Sequence, residues 1–312
     1  MKDAHREHLM LRAAELYYYE RLTQAAIADR LMCSRWTVGR LLEEARDSGM
    51  ISISIVHPSA RDRSIELELV DAFGVGEAIV VAAQATLEAT ARLVASTAAG
   101  CLTGLRPRPA SLGVSWGRTV AGMARAMPDR WMRDLHVYQA FGGLARSDDA
   151  AVTDSIGLLA RKGQGIGHLL PAPALVGDVD LARRLLQEPT VASTLEAAAR
   201  ADAIIYSPGA VSRDSILVRS GYLTAQMMER LRHIGAKADI LAHFVDDSGQ
   251  PVSAELEERS IAIGLDALAA AKTCILLGSG AHRAEPMRVA LAAGYASTVV
   301  TDAQTAAAIL AR

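Results

Sequence analysis

Short apolar runs alternate with alanine-rich helical patterns from Gly74 onward, and this alternation constrains the possible fold more than any other feature. The intervening helical patterns are too long for hairpin turns, whereas parallel strands need such crossover connections. The pattern therefore predicts an α/β fold with a mostly parallel sheet covered by helices on both faces. The predicted strands are 77–81, 111–114, 135–141, 166–170, 203–207, 238–245, 273–277 and 297–300, and the predicted helices are 87–103, 118–127, 152–162, 179–199, 223–234, 254–271, 283–293 and 303–311.

The segment 22–46 precedes this region and predicts a helix-turn-helix. Thr23 and Ser34 are residue types that cap helices, and each begins a pattern with apolar residues on one face. Met32 and Cys33 form the turn between the two helices. The inward faces are Ile27 and Leu31 on the first helix, and Val38, Leu41, Leu42 and Ala45 on the second.

The exposed face of the second helix is predicted to read DNA in the major groove. An arginine at position 35 or 40 can form two bonds to a guanine, and the glycine at 39 allows close approach to the groove. The alternative is an ordinary helical hairpin with Trp36 in its core. The predicted DNA contacts are Thr23, Gln24, Ser34, Arg35, Trp36, Thr37 and Arg40.

The flanking segments suggest a winged DNA-binding module followed by a linker. A first helix is predicted over 7–20 and a short wing strand over 51–56, with Gly49 between helix and strand and His57-Pro58 ending it. Apolar residues recur every four positions in 61–73, so this helix needs a partner surface, either the next domain or another subunit. The predicted domains are 1–58 for DNA binding, 59–75 for the linker helix and 76–312 for effector binding and oligomerisation.

Composition predicts a cytoplasmic protein without a membrane span. The first residues are charged, apolar runs stay short, and Cys33, Cys101 and Cys274 are too widely spaced for a metal site. Residues 1–58 carry eight Lys or Arg and eight Asp or Glu, so one copy should attract phosphates weakly. Two or more copies acting together would raise DNA affinity through effective concentration.

Three glycine-containing loops follow predicted strands, where ligands bind in parallel sheets. In 113–119 a helix N-terminus can cradle a phosphate, with Ser115, Arg118 and Thr119 adding bonds; the alternative is a turn without a ligand. The pair at 142 and 143 allows close backbone approach, and 278–283 offers an arginine for an anion but lacks the full dinucleotide fingerprint, so NAD is not proposed. Asp239 can accept sugar hydroxyls, although a structural role fits equally well.

Several motifs, in order, resemble the SorC family of sugar-responsive bacterial regulators. They are AAELYYYERLTQAAIADRLMCSRWTVGRLLEEARDSGMISISI, LGVSWGRTVAGMA, YQAFGGLA, LLPAPALV, GAKADILAHFVDDSGQPV and GYASTVVTDAQTA. The resemblance implies a winged helix-turn-helix, a Rossmann-like effector domain resembling sugar-phosphate isomerases, operator DNA and a phosphorylated sugar as partners, and a homotetramer. This sequence departs from the family where Met32 replaces a frequent turn glycine, where Ser279 and Ala238 replace glycines, where Arg283 replaces a lysine, and at 206–209.

Together the loops and the resemblance predict a regulator with no catalytic residues, no metal and no cofactor. The predicted effector-binding residues are Ser115, Trp116, Gly117, Arg118, Thr119, Gly142, Gly143, Asp239, Gly280 and Arg283. The alternative is an isomerase-like enzyme, for which Asp239, Asp246 and His282 are the candidate acids and bases. A third interpretation is a scaffold that binds partners through the 61–73 helix.

Overall fold

The computed structural model describes residues 2–48, 50–51, 61–143 and 154–311. The chain divides into two compact units, Met1–Pro58 and Ser59–Arg312. No helix in these ranges is both long enough and apolar enough to cross a lipid bilayer.

The first unit contains α1 (Lys2–Tyr18), α2 (Gln24–Leu31) and α3 (Arg35–Asp47). Both predicted caps form, since Thr23 Oγ1 accepts a bond from the Ala26 amide at 3.3 Å and Ser34 Oγ accepts one from the Thr37 amide at 3.1 Å. The predicted inward face of α3 is confirmed, because its four apolar residues are all buried. Gly49, His57-Pro58 and all but the first residue of the predicted wing strand lie outside the described residues.

The turn between α2 and α3 depends on a left-handed residue. Met32 has φ 49° and ψ 46°, and its side chain is 94% exposed. Only glycine adopts this conformation without steric cost, so the glycine that the family often has here fits the observed backbone.

The second unit begins with α4 (Arg63–Phe73), which Asp62 caps and Gly74 ends. Leu69 is fully buried in the core of this unit, with Ile65 packed beside it. The apolar stripe predicted in this region therefore packs on the core of its own unit, which is one of the two partner surfaces left open by the sequence.

A buried carboxylate fastens the start of α4 to the first strand, β1 (Glu77–Val81). Glu66 is 1% exposed and accepts two bonds from Arg61, at 2.6 and 3.0 Å, one from Arg63 at 3.1 Å and one from the Val80 amide at 2.9 Å. Burial acts to raise the pKa of Glu66, but these bonds outweigh it and hold that pKa below its usual value.

The large sheet contains β1 and six further strands, which are β2 (Ser111–Val114), β3 (His136–Gln139), β4 (Ile166–His168), β5 (Ala203–Tyr206), β9 (Cys274–Leu277) and β10 (Thr298–Asp302). All seven strands are parallel, in the order β1-β10-β9-β5-β2-β3-β4. The described helices of this unit are α5 (Leu87–Gly104), α6 (Arg118–Ala126), α7 (Ser155–Lys162), α8 (Val179–Gln187), α9 (Pro189–Ala199), α10 (Ile216–Arg219), α11 (Ala225–His233), α12 (Ala254–Arg259), α13 (Leu265–Ala270), α14 (Ala284–Ala292) and α15 (Ala303–Leu310). Two apolar clusters pack on opposite faces of the sheet, so the α/β prediction is confirmed.

Three predicted elements are wrong in detail. The strand predicted over 238–245 is a hairpin of β7 (Ala238–Ile240) and β8 (His243–Val245), because Leu241 and Ala242 both have positive φ, 54° and 70°. With β6 (Gly209–Ala210) this hairpin makes a separate antiparallel sheet. The predicted helix 179–199 breaks at the extended residue before Pro189, and the predicted helix 254–271 is interrupted by an extended segment whose residues bridge to Phe141 and Leu175.

Replacing Met32 with glycine should stabilise the first unit by about 0.5–1 kcal/mol. Glycine avoids the steric cost that a side chain has in the left-handed conformation, and this gain exceeds the entropy that the more flexible glycine loses on folding. Thermal unfolding of Met32→Gly and Met32→Ala checks this, and the alanine variant should melt with the wild type. Equal melting temperatures for the glycine variant and the wild type would contradict the prediction.

Replacing Glu66 with glutamine should destabilise the second unit by about 2–3 kcal/mol at pH 7, because Arg61 loses its carboxylate partner. Folding lowers the pKa of Glu66, so ionised Glu66 stabilises the folded state fully above its unfolded pKa of about 4.3. This contribution to the free energy of unfolding is lost as pH falls through the folded pKa. Denaturant unfolding of both proteins at several pH values should therefore show that the difference in unfolding free energy between the wild type and Glu66→Gln decreases in acid. Glu68→Gln, an exposed position on the same helix, is the control and should stay near the wild type.

Candidate functional site

The exposed side of α3 forms an open concavity of about 620 Å³. Trp36 is 71% exposed there, which excludes the alternative in which its ring belongs to the core. The lining contains three arginines and one glutamate, so this face carries a net charge of +2 although the unit as a whole is balanced. The lining residues are Gln24, Arg35, Trp36, Gly39, Arg40, Leu42, Glu43 and Arg46.

The predicted DNA contacts fall into two groups, those that line the concavity and those that lie at the starts of α2 and α3. Gln24, Arg35, Trp36 and Arg40 line the concavity. The hydroxyls of Thr23, Ser34 and Thr37 lie at helix starts, and the last two contact each other at 2.8 Å. Arg46 was missed by sequence reasoning; it lies one heptad after Gly39, on the same exposed face, and donates a bond to Tyr18.

A cavity of about 400 Å³ opens at the carboxyl ends of β2, β5 and β9, beside the small antiparallel sheet. Six of the predicted effector residues line it, namely Trp116, Gly117, Arg118, Thr119, Asp239 and Arg283. The remaining lining residues are Phe141, Ser207, Gly209, Ala210, Ser212, Asp214, Ser215, Ile216, Arg219, Leu241 and His282.

One end of the cavity is the N-terminus of α6. Gly117 precedes this helix with φ 147°, a backbone region that only glycine occupies readily, and it supplies no side-chain cap. The first-turn amides of the helix are therefore directed outward without a side-chain acceptor, as in helix N-termini that bind anions. Thr119 in this turn lines the cavity beside Arg118.

Arginines give the cavity unbalanced positive charge. Burial lowers the pKa of Arg283, the nearby charge of Arg118 lowers it further, and Asp239 acts in the opposite direction. Arg283 also donates a bond to the Pro208 carbonyl oxygen. Among the described residues, neither Arg118 nor Arg283 forms an ion pair, so an anion between them would relieve their repulsion.

Two buried hydroxyls lie close to the strand ends. Ser115 and Ser207 follow the paired strands β2 and β5, and neither Oγ atom has a hydrogen-bond partner within the described residues. Burying an unpaired hydroxyl is costly, which makes these atoms candidates for contact with a bound molecule or water. Ser115 itself is 1% exposed and, although it was predicted as an effector contact, it is not among the residues that line the cavity.

Glycines 142, 143 and 280 are not among the lining residues, and each makes contacts that organise the neighbouring loops. A Cβ at Gly142 would be 2.2 Å from the Pro173 carbonyl oxygen, so close packing requires glycine there. The Gly142 oxygen accepts a bond from Trp116 Nε1 at 2.8 Å, and the Gly143 oxygen accepts one from Tyr222 at 2.6 Å. Gly280, with φ 92°, donates its amide to Thr305 and Asp302, which orients the loop that carries Arg283.

The aromatic ring of Trp116 is fixed by these contacts and forms an apolar wall. It stacks on Phe141 with the ring centroids 4.3 Å apart. Apolar ring faces of this kind suit the carbon face of a small polar molecule, while polar side chains on the other walls suit its hydroxyl groups.

Asp239 is the buried acid of the site. Burial raises its pKa to about 6, while a 2.9 Å bond from the Ala242 amide and the nearby charges of His243 and Arg283 oppose that rise. His243 is itself buried, with Nδ1 2.8 Å from the Glu257 carboxylate and Nε2 3.0 Å from the Ile263 carbonyl oxygen. Two acceptors on one ring favour imidazolium. Burial, the largest single effect, acts to lower the pKa of His243, but the bonds to Glu257 and Ile263 and the charge of Asp239 together outweigh it and raise that pKa.

The segment 207–219 supplies much of the lining that sequence reasoning missed. Its cluster of Ser, Gly, Pro and Asp predicts a loop, and that loop follows a buried parallel strand. Because ligands bind beyond the carboxyl ends of parallel strands, the position of this loop could have identified it as part of the site. Within the described residues, no cluster of His, Cys, Asp and Glu has the arrangement of a metal site.

Comparison with known proteins gives one family and a consistent fold. The family model described as "Putative sugar-binding domain" matches residues 57–311. The transcriptional regulator LsrR of Klebsiella pneumoniae is 30% identical over 316 residues, covering 98% of this chain and 93% of the relative. The deoxyribonucleoside regulator of Bacillus subtilis is 26% identical over 310 residues, covering 99% of each. The structure of the full-length sorbitol operon regulator SorC from Klebsiella pneumoniae matches with a TM-score of 0.73 at 24% identity, over 97% of this chain and 99% of that one, which supports the fold.

Replacing Asp239 with asparagine should make stability less sensitive to pH. Because folding raises the Asp239 pKa from 3.8 to about 6, the wild type loses stability as pH rises through this range, by about 3 kcal/mol in total. Asparagine keeps an oxygen for the Ala242 amide and avoids this loss, so Asp239→Asn should gain on the wild type between pH 4 and about 6. Denaturant unfolding across this range measures the difference.

Asp246→Asn is the matched control, because hydrogen bonds from Ser248 and Gln250 lower the pKa of that carboxylate. Since folding lowers this pKa, the stability difference between Asp246→Asn and the wild type develops below the unfolded pKa of about 3.9 and should stay constant between pH 4 and about 6. Parallel pH curves for Asp239→Asn and the wild type would contradict a buried ionising Asp239.

Proposed function

Because this chain belongs to the SorC family of sugar-binding transcriptional regulators, we propose that its first unit binds operator DNA and that a small phosphorylated sugar or related anionic metabolite in its cavity controls that binding. The observation that carries the effector part is the unpaired positive charge beside the uncapped N-terminus of α6. A phosphate group satisfies both at once, since it accepts bonds from amides and guanidinium groups together.

The remaining lining favours a polyhydroxylated body on the phosphate. Asp239, Ser207, Ser212 and Ser215 line the cavity together with the stacked rings of Trp116 and Phe141. Arg219 is a further lining cation that forms no ion pair within the described residues. The cavity volume of about 400 Å³ suits a molecule of sugar-phosphate size.

DNA binding is supported by the placement of charge on α3. The concavity with its net +2 charge presents Arg35 and Arg40 beside the exposed Trp36. Because this charge is modest, we propose that the regulator acts as a homo-oligomer, a tetramer, in which several units share one operator and gain affinity through effective concentration. Asp239 then serves ligand binding, and the protein performs no turnover.

The test uses the full-length protein in two steps. Selection from genomic fragments identifies an operator, and binding to that duplex is then measured with a panel of sugars and sugar phosphates. We expect one phosphorylated member to change operator affinity about 5- to 150-fold, the usual size of allosteric coupling. No specific duplex, no effect from any panel member, or conversion of a sugar phosphate by the pure protein would each contradict the proposal.

Arg118→Met and Arg125→Met form a matched pair for this experiment, since both arginines are exposed on α6 but only Arg118 lines the cavity. Arg118→Met should weaken binding of the active sugar phosphate at least about tenfold, the size expected for the loss of one charge-assisted hydrogen bond. Operator binding without the sugar phosphate should not change. Arg125→Met should behave as the wild type in both measurements.

A further inference from the structure

Three side chains, each separated by four residues, form a continuous row on the exposed face of α3. The guanidinium carbon of Arg40 lies 5.0 Å from the ring centroid of Trp36, a cation–π distance. On the other side, Arg40 Nη2 is 3.2 Å from Glu44 Oε1. The guanidinium is therefore held from two directions, while its Nε and Nη1 atoms have no hydrogen-bond partner in the part of the chain that the structure describes.

Glu44 alone would oppose DNA binding, because its negative charge cancels that of Arg40 and is repelled by phosphates. Arg6, on a different helix, changes this balance. Its Nε donates to Glu44 Oε2 at 2.8 Å and its Nη2 to Glu44 Oε1 at 2.6 Å. This two-bond contact fixes the carboxylate plane, lowers the pKa of Glu44, and leaves the group of two arginines and one glutamate with a net charge of +1.

We propose that Arg6 is a positioning residue for DNA sequence recognition. By clamping Glu44 it holds Arg40 against Trp36, so that the free edge of Arg40 meets one guanine with little loss of side-chain entropy. Arg6 thereby determines the preference at one base pair that it does not itself contact. This inference rests on the proposed DNA binding of the first unit.

The test compares base preferences rather than affinity alone. Full-length wild type, Arg40→Ala, Arg6→Met and Arg6→Lys each select from a pool of random duplexes, and the preference at every position is measured. Arg40→Ala should remove a preference of at least about fivefold at one position, the size of a bidentate guanine contact. Arg6→Met should reduce the preference at that same position at least about threefold and leave the other positions unchanged.

Arg6→Lys separates positioning from charge. Lysine keeps the positive charge but cannot make the planar two-bond contact, so overall affinity should persist while the preference at that position falls. Arg12→Met is the control on the same helix, since Arg12 pairs with Glu15 at 2.9 Å, away from the row. It should leave every preference unchanged, and melting curves establish that all variants are folded.

Several results would overturn the proposal. A uniform loss of affinity for Arg6→Met at all positions, with the salt dependence reduced by about one phosphate contact, would make Arg6 a phosphate contact instead. If Arg6→Met leaves the base preference at the Arg40 position unchanged, the contact between Arg6 and Glu44 is purely structural. If Arg40→Ala loses no base preference at any position, Arg40 does not read a base. Failure of the wild type to select any sequence contradicts the proposed function too, and is recognised before any variant is measured.

Discussion

The parallel pairing of the seven strands is the constraint on which the rest of the second unit depends. Parallel strands end at one edge of a sheet, so the loops that follow β2, β5 and β9 converge there whatever their separation in sequence. Each crossover then needs a helix, and the helix after β2 presents its N-terminus to the same edge. The cavity is thus a result of strand direction, and its specificity comes from the side chains that the loops add.

Charge placement, rather than total charge, distinguishes the two candidate surfaces. The chain has a formal net charge of −2, yet arginines dominate both the concavity on α3 and one end of the cavity. Keeping Arg118 and Arg283 close together costs free energy in the empty site, which the surrounding fold must supply. Such local costs are typical of binding sites, where the sequence departs from what stability alone would favour.

The sequence was most informative where one local rule acts alone. Strand and helix alternation predicted the sheet, and the hydroxyl residues at 23 and 34 predicted two caps that form. The hairpin at 238–245 could not be found in this way, because its turn residues Leu241 and Ala242 lack the Gly or Asn signature of left-handed turns. Gly142 was predicted from its pairing with Gly143, whereas the close approach of Pro173 to Gly142 is a tertiary contact that no local pattern contains.

The order of the strands has a consequence for how the second unit comes into being on the ribosome. Its first described strand, β1, pairs with β10, which follows all the other described strands in the chain. The apolar residues of β1 therefore stay without their paired strand while the intervening strands are synthesised. Until residues 298–302 have been synthesised, the hydrogen-bonding edge of β1 has no partner strand, so this side of the sheet is completed after the strands between them.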